Sequence, residues 1–414
     1  MIAPALSERA AARYNVRLLL SSNADVLRDE VVRLGVGTHR LTVVASHAAM
    51  EALALENLDE QQVFALHHAV DTSGGALLTD ATRQRAIVVM PLLTAAELNG
   101  RLAEAGPAGA ELGAAVARAL VARGAPPVPV QTGAHRLEFG RRTLVMGVIN
   151  VTPDSFSGDG VYDDPEAAVT RGEAMIAAGA DIIDVGGEST RPNSTLVTPD
   201  EELRRVIPVI ERLTSASTAP VSIDTRKATV AAAALQAGAS IVNDVWGLRG
   251  DADMATVVAA HPASALIVMH NQRGTEYTNL LSDVCRGLRE SVAVAAEAGI
   301  AADRLIIDPG FGFAKTPAHN LELVRRLGEL RAIGRPVLVG LSRKSTIGAL
   351  TGGAPADQRV EGSLALAALA VSAGADIVRT HDVAATVRST RVADAVVRGT
   401  PEHILALPPP GPTG

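Results

Sequence analysis

The sequence predicts a (β/α)8 barrel that follows a smaller α/β domain, and three observations support this fold class. Eight short apolar runs lie between residues 144 and 381, and each run ends in a polar or glycine-rich cluster. Alanine-rich stretches of helical length separate the runs, an alternation that is typical of buried parallel strands. The chain has 414 residues, more than the ~250 that one such barrel requires, so we expect two domains.

The barrel elements follow one another at regular spacing along the chain. Strands are predicted at 144–150, 181–185, 221–224, 240–244, 265–270, 304–308, 336–341 and 375–380. Helices are predicted at 165–178, from 198 onward, at 226–237, and after the last strand as far as 397. Pro199 and the acidic residues after it favour a helix N-terminus, and Gly238 is typical of the end of a helix.

The first part of the chain, residues 1–135, is predicted to be an accessory α/β domain of unknown role. Strands are predicted at 39–46 and 83–93, and helices at 60–70, 94–106 and 110–124. A break rich in proline and glycine falls at 123–140, so the barrel is assigned to 141–400 and a flexible tail to 401–414. No motif in the first part names a chemistry, and its histidines lack metal-ligand spacing.

The composition excludes several classes of protein. The chain is 47% hydrophobic, 20% charged and carries a net charge of −7, which argues against disorder and against nucleic-acid binding driven by overall charge. Aromatic residues make up 2%, too few for base-stacking platforms. The one cysteine, Cys285, cannot form an intrachain disulfide. Without a signal peptide or an apolar stretch of ~20 residues, we expect a cytoplasmic protein with no membrane partner.

In a (β/α)8 barrel the carboxyl ends of all strands meet on one face, so the polar strand ends are expected to surround one pocket. These residues are Asn150, Asp184, Asp224, Asn243, Asp244, His270, Asp308, Lys344, Arg379 and His381. The sequence therefore predicts a single site rather than scattered polar residues.

The types of residue at these strand ends suggest a heteroaromatic ligand. Carboxylates and amides such as Asp224, Asn243 and Asp308 match the N–H and C=O groups on the edge of such a ring. Alternatively, each caps its following helix, as Asp224 could. Lys344 can hydrogen-bond a ring carbonyl or nitrogen from the barrel mouth. The sequence favours the ligand reading because several such residues share one rim.

A second group of residues suggests an anion site. Arg379 and His381 lie two positions apart, on the same side of an extended strand end. Together with Arg191, this pair can stabilise a departing diphosphate. Alternatively, the arginine and histidine are structural, as such pairs at strand ends often are. Asn150 offers either an amide oxygen to Mg²⁺ or an amide N–H to a phosphate oxygen.

The loops after the first two strands complete the predicted site. The first, VTPDSFSGDG, is either a lid or an elaborate turn, and its length favours a lid. In the second, Thr190 and Arg191 suit phosphate or carboxylate oxygens, or they belong to a solvated turn. Phe156, Phe311 and Phe313 form either an apolar slot for an aromatic co-substrate or a plug in the barrel top.

Seven ordered motifs resemble those of the dihydropteroate synthases of folate biosynthesis, over about Leu144 to Val397. They read MGVINVTPDSFS, DVGGESTRP, SIDT, VNDV, DPGFGFAKT, LSRKS and RTHDV. The resemblance implies a transferase that condenses 6-hydroxymethyl-7,8-dihydropterin diphosphate with 4-aminobenzoate. Diphosphate leaves first in the chemistry that the family is described to use. The resemblance also implies Mg²⁺, these small-molecule substrates, and a homodimer through the late barrel helices.

The resemblance implies a role for each matching residue. The pterin would be held by Asp224, Asn243, Asp308 and Lys344. The diphosphate would be held by Asn150, Arg379 and His381, and Asn150 would also bind the metal ion. The 4-aminobenzoate would be held by Thr190, Arg191, Phe156, Phe311 and Ser342. The catalytic set would be Asn150, Asp159, Lys344, Arg379 and His381. The first loop departs from the family order SFSDGG, since it reads Ser157-Gly158-Asp159-Gly160 here. We expect Asp159 to take the place of the displaced acidic residue.

Two other functions remain open at this point. A pterin-binding methyltransferase shares the barrel and the acidic pterin edge but has no need of the Arg379–His381 anion site or of Lys344. A non-catalytic pterin-binding paralogue fits the altered first loop, but not the intact Asn150, Arg191 and Lys344. The sequence therefore favours the synthase.

Overall fold

The structure, a computed structural model, describes residues 50–71, 75–91, 95–152, 164–188 and 196–399, together with 15, 17–19 and 33. Several predictions lie outside these residues: the strand at 39–46, the tail 401–414, and the site residues Phe156, Asp159, Thr190 and Arg191.

Among the described residues, the N-terminal part forms a four-stranded antiparallel sheet in the order β1-β2-β4-β3. The strands are β1 (Arg17–Leu19), β2 (Met50–Glu56), β3 (Ala76–Thr79) and β4 (Arg85–Pro91). Three helices accompany it, α1 (Glu60–Asp71), α2 (Ala95–Glu104) and α3 (Pro107–Gly124). Alternate residues of β2 and β4, such as Leu53 and Val88, pack with the helices in one apolar core. The three predicted helices of this region are confirmed.

A short hairpin, β5 (Val130–Thr132) and β6 (His135–Leu137), connects this region to the barrel and closes the barrel's lower end. Val130, Leu137 and Phe139 pack in one cluster with the first residues of the barrel strands. Thr132 Oγ1 donates a hydrogen bond to the carbonyl of Ser240, 3.0 Å away. From the sequence, only a break between domains is predicted at this position.

Eight parallel strands form the second sheet, in the order β12-β11-β10-β9-β8-β7-β14-β13. They are β7 (Leu144–Asn150), β8 (Ile182–Gly186), β9 (Val221–Asp224), β10 (Ile241–Asp244), β11 (Ala265–Met269), β12 (Leu305–Asp308), β13 (Leu338–Gly340) and β14 (Ile377–Thr380). A parallel bridge between Ile307 and Val337 joins β12 to the residue before β13, the two strands at the ends of this order. The predicted (β/α)8, or TIM, barrel is confirmed, and each strand lies within two residues of its predicted bounds.

Helices cover the outside of the barrel. In chain order they are α4 (Pro165–Ala177), α5 (Pro199–Ala216), α6 (Ala228–Gln236), α7 (Met254–Ala259), α8 (Leu280–Glu297), α9 (Pro317–Arg325), α10 (Ser345–Leu350), α11 (Val360–Ser372) and α12 (Val383–Arg398). Polar caps begin several of them, since Asp164 and Thr198 each accept a hydrogen bond from the backbone N–H three residues on. None of the described helices is both long enough and apolar enough to cross a membrane.

The alternation of side chains along the strands divides the barrel into an outer core and an inner column. Outward residues such as Val145, Ile223 and Val378 pack against the helices. The inward residues near the start of each strand are apolar, as in Met146 and Ile306. Two residues further along four of the strands, β8, β10, β12 and β14, the inward positions carry polar groups, namely Asp184, Asn243, Asp308 and Arg379. The apolar lower layer thus supports a polar upper layer at the barrel mouth.

The N-terminal part docks on helix α8 through a buried polar network. Asn15 donates through Nδ2 to Glu56 Oε2, 3.1 Å away, and to the carbonyl of Ser282, 3.0 Å away. Arg289 donates to Asn15 Oδ1 over 2.8 Å and to the carbonyl of Ala332 over 3.3 Å. Because these groups are withdrawn from water, the network fixes the docking geometry as well as its strength.

Candidate active site

Arg379 stands at the centre of the polar upper layer and binds two carboxylates. Its Nε lies 2.6 Å from Asp184 Oδ2, and its Nη2 lies 2.7 Å from Asp224 Oδ2. Asn243 Nδ2 donates to the same Asp184 oxygen over 3.1 Å. Four barrel strands therefore contribute to one hydrogen-bonded cluster, and period-two alternation accounts for it, since all four residues occupy inward positions.

Each of the two carboxylates keeps one oxygen that is not yet satisfied. Asp184 Oδ1 and Asp224 Oδ1 are buried and have no hydrogen-bond partner among the described residues. Burial raises the pKa of Asp224 to about 7, against the opposing effect of the Arg379 charge. An unpaired buried acceptor is unfavourable unless a ligand supplies the missing donor, so these oxygens point to an N–H-bearing ligand.

Asp308 faces the same space from the opposite side of the barrel. Its Oδ1 accepts a hydrogen bond from the backbone N–H of Gly310, 2.7 Å away. Burial raises the pKa of Asp308 to about 6, although this hydrogen bond and the nearby Lys344 favour the charged form. The carboxylate therefore changes its charge close to neutral pH.

Lys344 and Phe313 form the rim between β12 and β13. The amino group of Lys344 lies 4.2 Å from the centre of the Phe313 ring, a cation–π distance. The preceding residue, Arg343, has a left-handed backbone with φ 57°. A bidentate ion pair holds it there, since its Nε and Nη2 lie 2.9 and 2.6 Å from the two oxygens of Asp382.

Ser342 and His381 contact each other across the ends of β13 and β14. The imidazole Nδ1 of His381 lies 3.0 Å from Ser342 Oγ, and its backbone N–H donates to the same oxygen over 3.2 Å. The family resemblance implies that Ser342 belongs to the 4-aminobenzoate side and His381 to the diphosphate side. The structure brings the two residues together.

The second loop is tied together at its base. Glu188 accepts a hydrogen bond from the backbone N–H of Val197 over 3.1 Å. This bond brings together the two residues that flank the segment carrying Thr190 and Arg191. The other oxygen of Glu188 lies 3.2 Å from Arg226 Nε and 3.1 Å from Lys227 Nζ. These contacts anchor the base of the loop to the turn after β9.

Three predicted site residues turn away from the mouth. The carboxylate of Asp244 accepts from the backbone N–H groups of Trp246 and Leu248 over 2.8 and 2.6 Å, so the expectation that it lines the pocket is wrong. His270 points outward against Gly287 of α8, and the same correction applies. Phe311 is 1% exposed and belongs to the outer core, whereas Phe313 reaches the rim.

The sequence places Asp184 among the pocket residues without a specific role and gives no role to Lys315, yet the structure makes both residues prominent. Asp184 is fully buried and central to the Arg379 cluster, and the signal was a charged residue inside an apolar strand. Lys315 is 8% exposed, and its amino group joins the loops after β11 and β12. No local signal marks Lys315, because its partners are distant in sequence or belong to the backbone.

Asn150 occupies the last inward position of β7 and is partly exposed at the mouth. No group of three or more histidine, cysteine or acidic residues that could hold a metal ion occurs within the described ranges. Mg²⁺ usually keeps several waters and binds one or two carboxylates together with substrate phosphates, so the amide oxygen of Asn150 fits only a site in which phosphate oxygens and waters supply most of the ligands.

A barrel mouth with buried, partly unsatisfied carboxylates is typical of an enzyme that binds a small polar ring, and comparison with known proteins identifies the class. The family model for "Pterin binding enzyme" matches residues 146–381. The dihydropteroate synthase of Bacillus subtilis is 46% identical over 268 residues, which are 65% of this chain and 93% of that protein. The dihydropteroate synthase of Clostridium beijerinckii is 43% identical over 270 residues, which are 65% of this chain and 100% of that protein.

Solved structures show the same similarity. Dihydropteroate synthase from Xanthomonas albilineans with 4-aminobenzoic acid has a TM-score of 0.62 and 44% identity, over 68% of this chain and 100% of that one. The Burkholderia cenocepacia enzyme, complexed with 7,8-dihydropteroate, has a TM-score of 0.60 and 42% identity, and the match covers 66% of this chain and 97% of that one. The chain therefore belongs to the dihydropteroate synthase family, a family of transferases that act in folate biosynthesis.

Proposed function

We propose that this chain condenses 6-hydroxymethyl-7,8-dihydropterin diphosphate with 4-aminobenzoate to form 7,8-dihydropteroate and diphosphate. The observation that carries the proposal is the buried, unsatisfied carboxylate oxygen of Asp224, which lies in one cluster with a second such oxygen on Asp184. Both oxygens lie in a barrel mouth that also presents Asn243, Asp308 and Lys344. Ring N–H groups of a pterin would satisfy acceptors of this kind.

The pterin would lie deepest, against the ends of β9, β10 and β12. Asp224 and Asp308 would accept from its N–H groups, Asn243 would contact the ring edge, and Lys344 would donate to a ring carbonyl or nitrogen. The apolar lower layer of the barrel supports this polar shelf. Because the acceptors are already held by Arg379 and Gly310, the ring meets a preorganised site.

The diphosphate would lie nearer the opening, with Asn150 and His381. Arg379 is engaged by two carboxylates, so a diphosphate would have to compete with Asp184 and Asp224 for it. We propose that Asn150 would hold Mg²⁺ through its amide oxygen and that the ion would supply positive charge to the diphosphate. His381, oriented by Ser342, would donate to a phosphate oxygen.

The reaction we propose breaks the bond between the pterin's exocyclic carbon and the diphosphate oxygen, which keeps the electron pair. The arylamine nitrogen then bonds to that carbon and loses a proton. For 4-aminobenzoate, Phe313 replaces Phe311 as the rim contact, because Phe311 is buried in the outer core. The proposed 4-aminobenzoate subsite keeps Ser342, Thr190, Arg191 and Phe156. The proposed catalytic set keeps Asp159. Water must be excluded, because it competes for the same carbon.

The test is an assay of the purified chain with dihydropterin diphosphate, 4-aminobenzoate and Mg²⁺, in which diphosphate and dihydropteroate are measured together. We expect both products in equal amounts. Lys344→Ala is expected to lower kcat/KM by about 100-fold or more, with little change in melting temperature, because Lys344 is a partly exposed site residue. Absence of coupled product from the unmodified chain would sink the proposal and favour a non-catalytic paralogue.

We also propose that the chain forms a homodimer through α11 and α12. Leu369, Val392 and Val396 are 59, 68 and 82% exposed on these helices, an apolar surface that pairing would cover. Light scattering of the wild type is expected to give twice the chain mass, and Val392→Glu/Val396→Glu is expected to give a monomer. A wild type that stays monomeric at high concentration would contradict the proposal.

A further inference from the structure

The loops that follow β11 and β12 are joined behind Phe313 by two side chains that the proposed chemistry does not use. The amino group of Lys315 donates to the carbonyl of Phe313 over 3.2 Å, and it lies 3.2 Å from His270 Nδ1. The hydroxyl of Tyr277 donates to the carbonyl of Ala314 over 3.0 Å. Two consecutive carbonyls are thus held by two different side chains, which we call the Lys315–Tyr277 clamp.

The backbone that the clamp holds is unusual. Ala314 has a φ of 48°, in the left-handed region that residues with a Cβ rarely adopt. Gly312, two residues earlier, has a φ of 80°. Such a conformation persists only where its surroundings hold it, and it tends to occur at functional sites. Relaxation at Ala314 would change the direction of the chain at Phe313, and with it the position of the ring beside Lys344.

Packing around the clamp leaves it little freedom. The Tyr277 ring meets His319 edge-on at a centroid distance of 5.2 Å, and the amino group of Lys315 lies 5.7 Å from the same ring. A Cβ on Gly310 would come within 2.1 Å of the His270 carbonyl, so the two loops are in direct contact. The clamp therefore acts between two well-packed loops rather than on a free segment.

The donor roles in the clamp persist around neutral pH. Burial raises the pKa of Tyr277, so its hydroxyl keeps its proton. Burial lowers the pKa of Lys315 to about 7 against the effect of Asp308, while Arg249 and Lys344 add to the lowering. An amino group donates whether or not it carries a charge, and burial also keeps the neighbouring His270 neutral by lowering its pKa.

We propose that Lys315 and Tyr277 are positioning residues, which hold the Phe313 ring against Lys344 and thereby set the affinity of the arylamine subsite. This inference rests on the proposed function, because Phe313 matters only if the rim binds an aromatic co-substrate. Neither clamp residue touches substrate in this scheme. Each acts through the Phe313–Ala314 backbone.

The experiment compares Tyr277→Phe and Lys315→Met with Thr132→Val. Tyr277→Phe removes one hydroxyl and keeps the ring, so the KM for 4-aminobenzoate is expected to rise about fivefold, the usual effect of one buried hydrogen bond. Lys315→Met is expected to raise it about 10- to 30-fold, because it removes two buried hydrogen bonds, to the Phe313 carbonyl and to His270 Nδ1. In Tyr277→Phe the KM for dihydropterin diphosphate should change less than about twofold, whereas Lys315→Met also removes a charge that favours the ionised form of Asp308, so Tyr277→Phe is the variant that separates the two KM values. Thr132→Val removes a buried hydroxyl-to-carbonyl bond at the barrel's lower end and should change neither KM.

Two further measurements separate positioning from a general loss of stability. In a Phe313→Ala background, Tyr277→Phe should have no further effect on the KM for 4-aminobenzoate, because the clamp acts through that ring. Amide hydrogen exchange in the peptide 309–316 should be faster in both clamp variants and unchanged in Thr132→Val.

The possible outcomes distinguish the inference from the function on which it rests. Additive effects of Tyr277→Phe in the Phe313→Ala background, or equal changes in both KM values for Tyr277→Phe, would overturn the clamp. If the wild type makes no dihydropteroate, the proposed function fails and the role in substrate affinity fails with it. Hydrogen exchange then still decides whether the backbone is clamped. If Lys315→Met does not fold, Tyr277→Phe carries the test alone.

Discussion

At the scale of single residues, the barrel mouth combines groups whose charges depend on one another. Arg379 lies between Asp184 and Asp224, and Asp308 lies across the same space with its pKa raised to about 6 by burial. Burying charges in this way stabilises little by itself, since the desolvation penalty offsets most of the attraction. We interpret the cluster as a preorganised set of acceptors that contributes more to binding than to stability.

The first expected outcome concerns pH. A ring edge with two N–H donors requires the charged form of Asp308, and that form increases as pH rises through about 6. Asp224, whose pKa burial raises to about 7, must be charged as well, so pterin affinity is expected to fall as the pH is lowered through about 7 and then 6, and to level off only near pH 8. Calorimetric titration of a dihydropterin from pH 5 to 8 measures this. Asp308→Asn should bind weakly with a flatter profile, and stronger binding in acid would refute the role.

The second concerns Arg379. Arg379→Ala leaves two buried carboxylates without their cation, so we expect the free energy of unfolding to fall by about 3–5 kcal/mol, together with loss of activity. Urea titration measures the change. Adding Asp184→Asn should recover part of the stability, whereas an unchanged midpoint for Arg379→Ala alone would show that the ion cluster is not held in the folded state.

At the scale of elements, the contacts between a strand end and the next loop decide which side chains reach the mouth. Gly310 follows β12 with a φ of 73°, and a Cβ there would meet the carbonyl of His270 at 2.1 Å. The glycine is needed for both its backbone conformation and its lack of a side chain. It lets the loop after β12 pass against β11, which places Phe313 at the rim.

The third expected outcome compares two glycines. Gly310→Ala should destabilise the protein severely and raise the KM for 4-aminobenzoate, because the new methyl group collides with backbone. Gly299→Ala is the matched control, since Gly299 also has a positive φ, 87°, but a Cβ there meets nothing within 4 Å. It should lower stability by only about 1–2 kcal/mol and leave kinetics unchanged. Thermal unfolding and steady-state kinetics measure both, and equal effects would contradict the collision.

At the scale of the whole molecule, the N-terminal part is joined to the barrel by a polar network rather than by an apolar surface alone. Glu56 ends β2, accepts from Asn15 over 3.1 Å and from Ser282, and pairs with Arg286 over 3.1 Å. Ser282 and Arg286 belong to α8, which begins directly after the loop that carries Tyr277. The domain interface and the rim of the site are thus neighbours on one helix.

The fourth expected outcome tests that interface. Glu56→Gln keeps the shape of the side chain but weakens a buried charged network. We therefore expect the free energy of unfolding of the N-terminal part to fall by about 1–3 kcal/mol, with kcat unchanged. Calorimetry and limited proteolysis in the 123–140 segment measure this. Glu138→Gln, in a pair whose partners are both 62% exposed, should change nothing. A loss of activity equal to the loss of stability would instead show that the barrel needs the docked domain.

The sequence by itself determined the barrel, the order of its elements and the rim residues, because apolar runs, capping residues and helix-ending glycines are local signals. Only the tertiary structure decided which rim side chains point inward. Strands of a buried parallel sheet are apolar on both faces, so the period-two signal that would separate Asn243 from Asp244 is missing. The contact of Ser342 with His381, the clamp on Phe313 and the docking of Asn15 on α8 join distant segments. Such contacts depend on how the strands and helices pack, which no local pattern specifies.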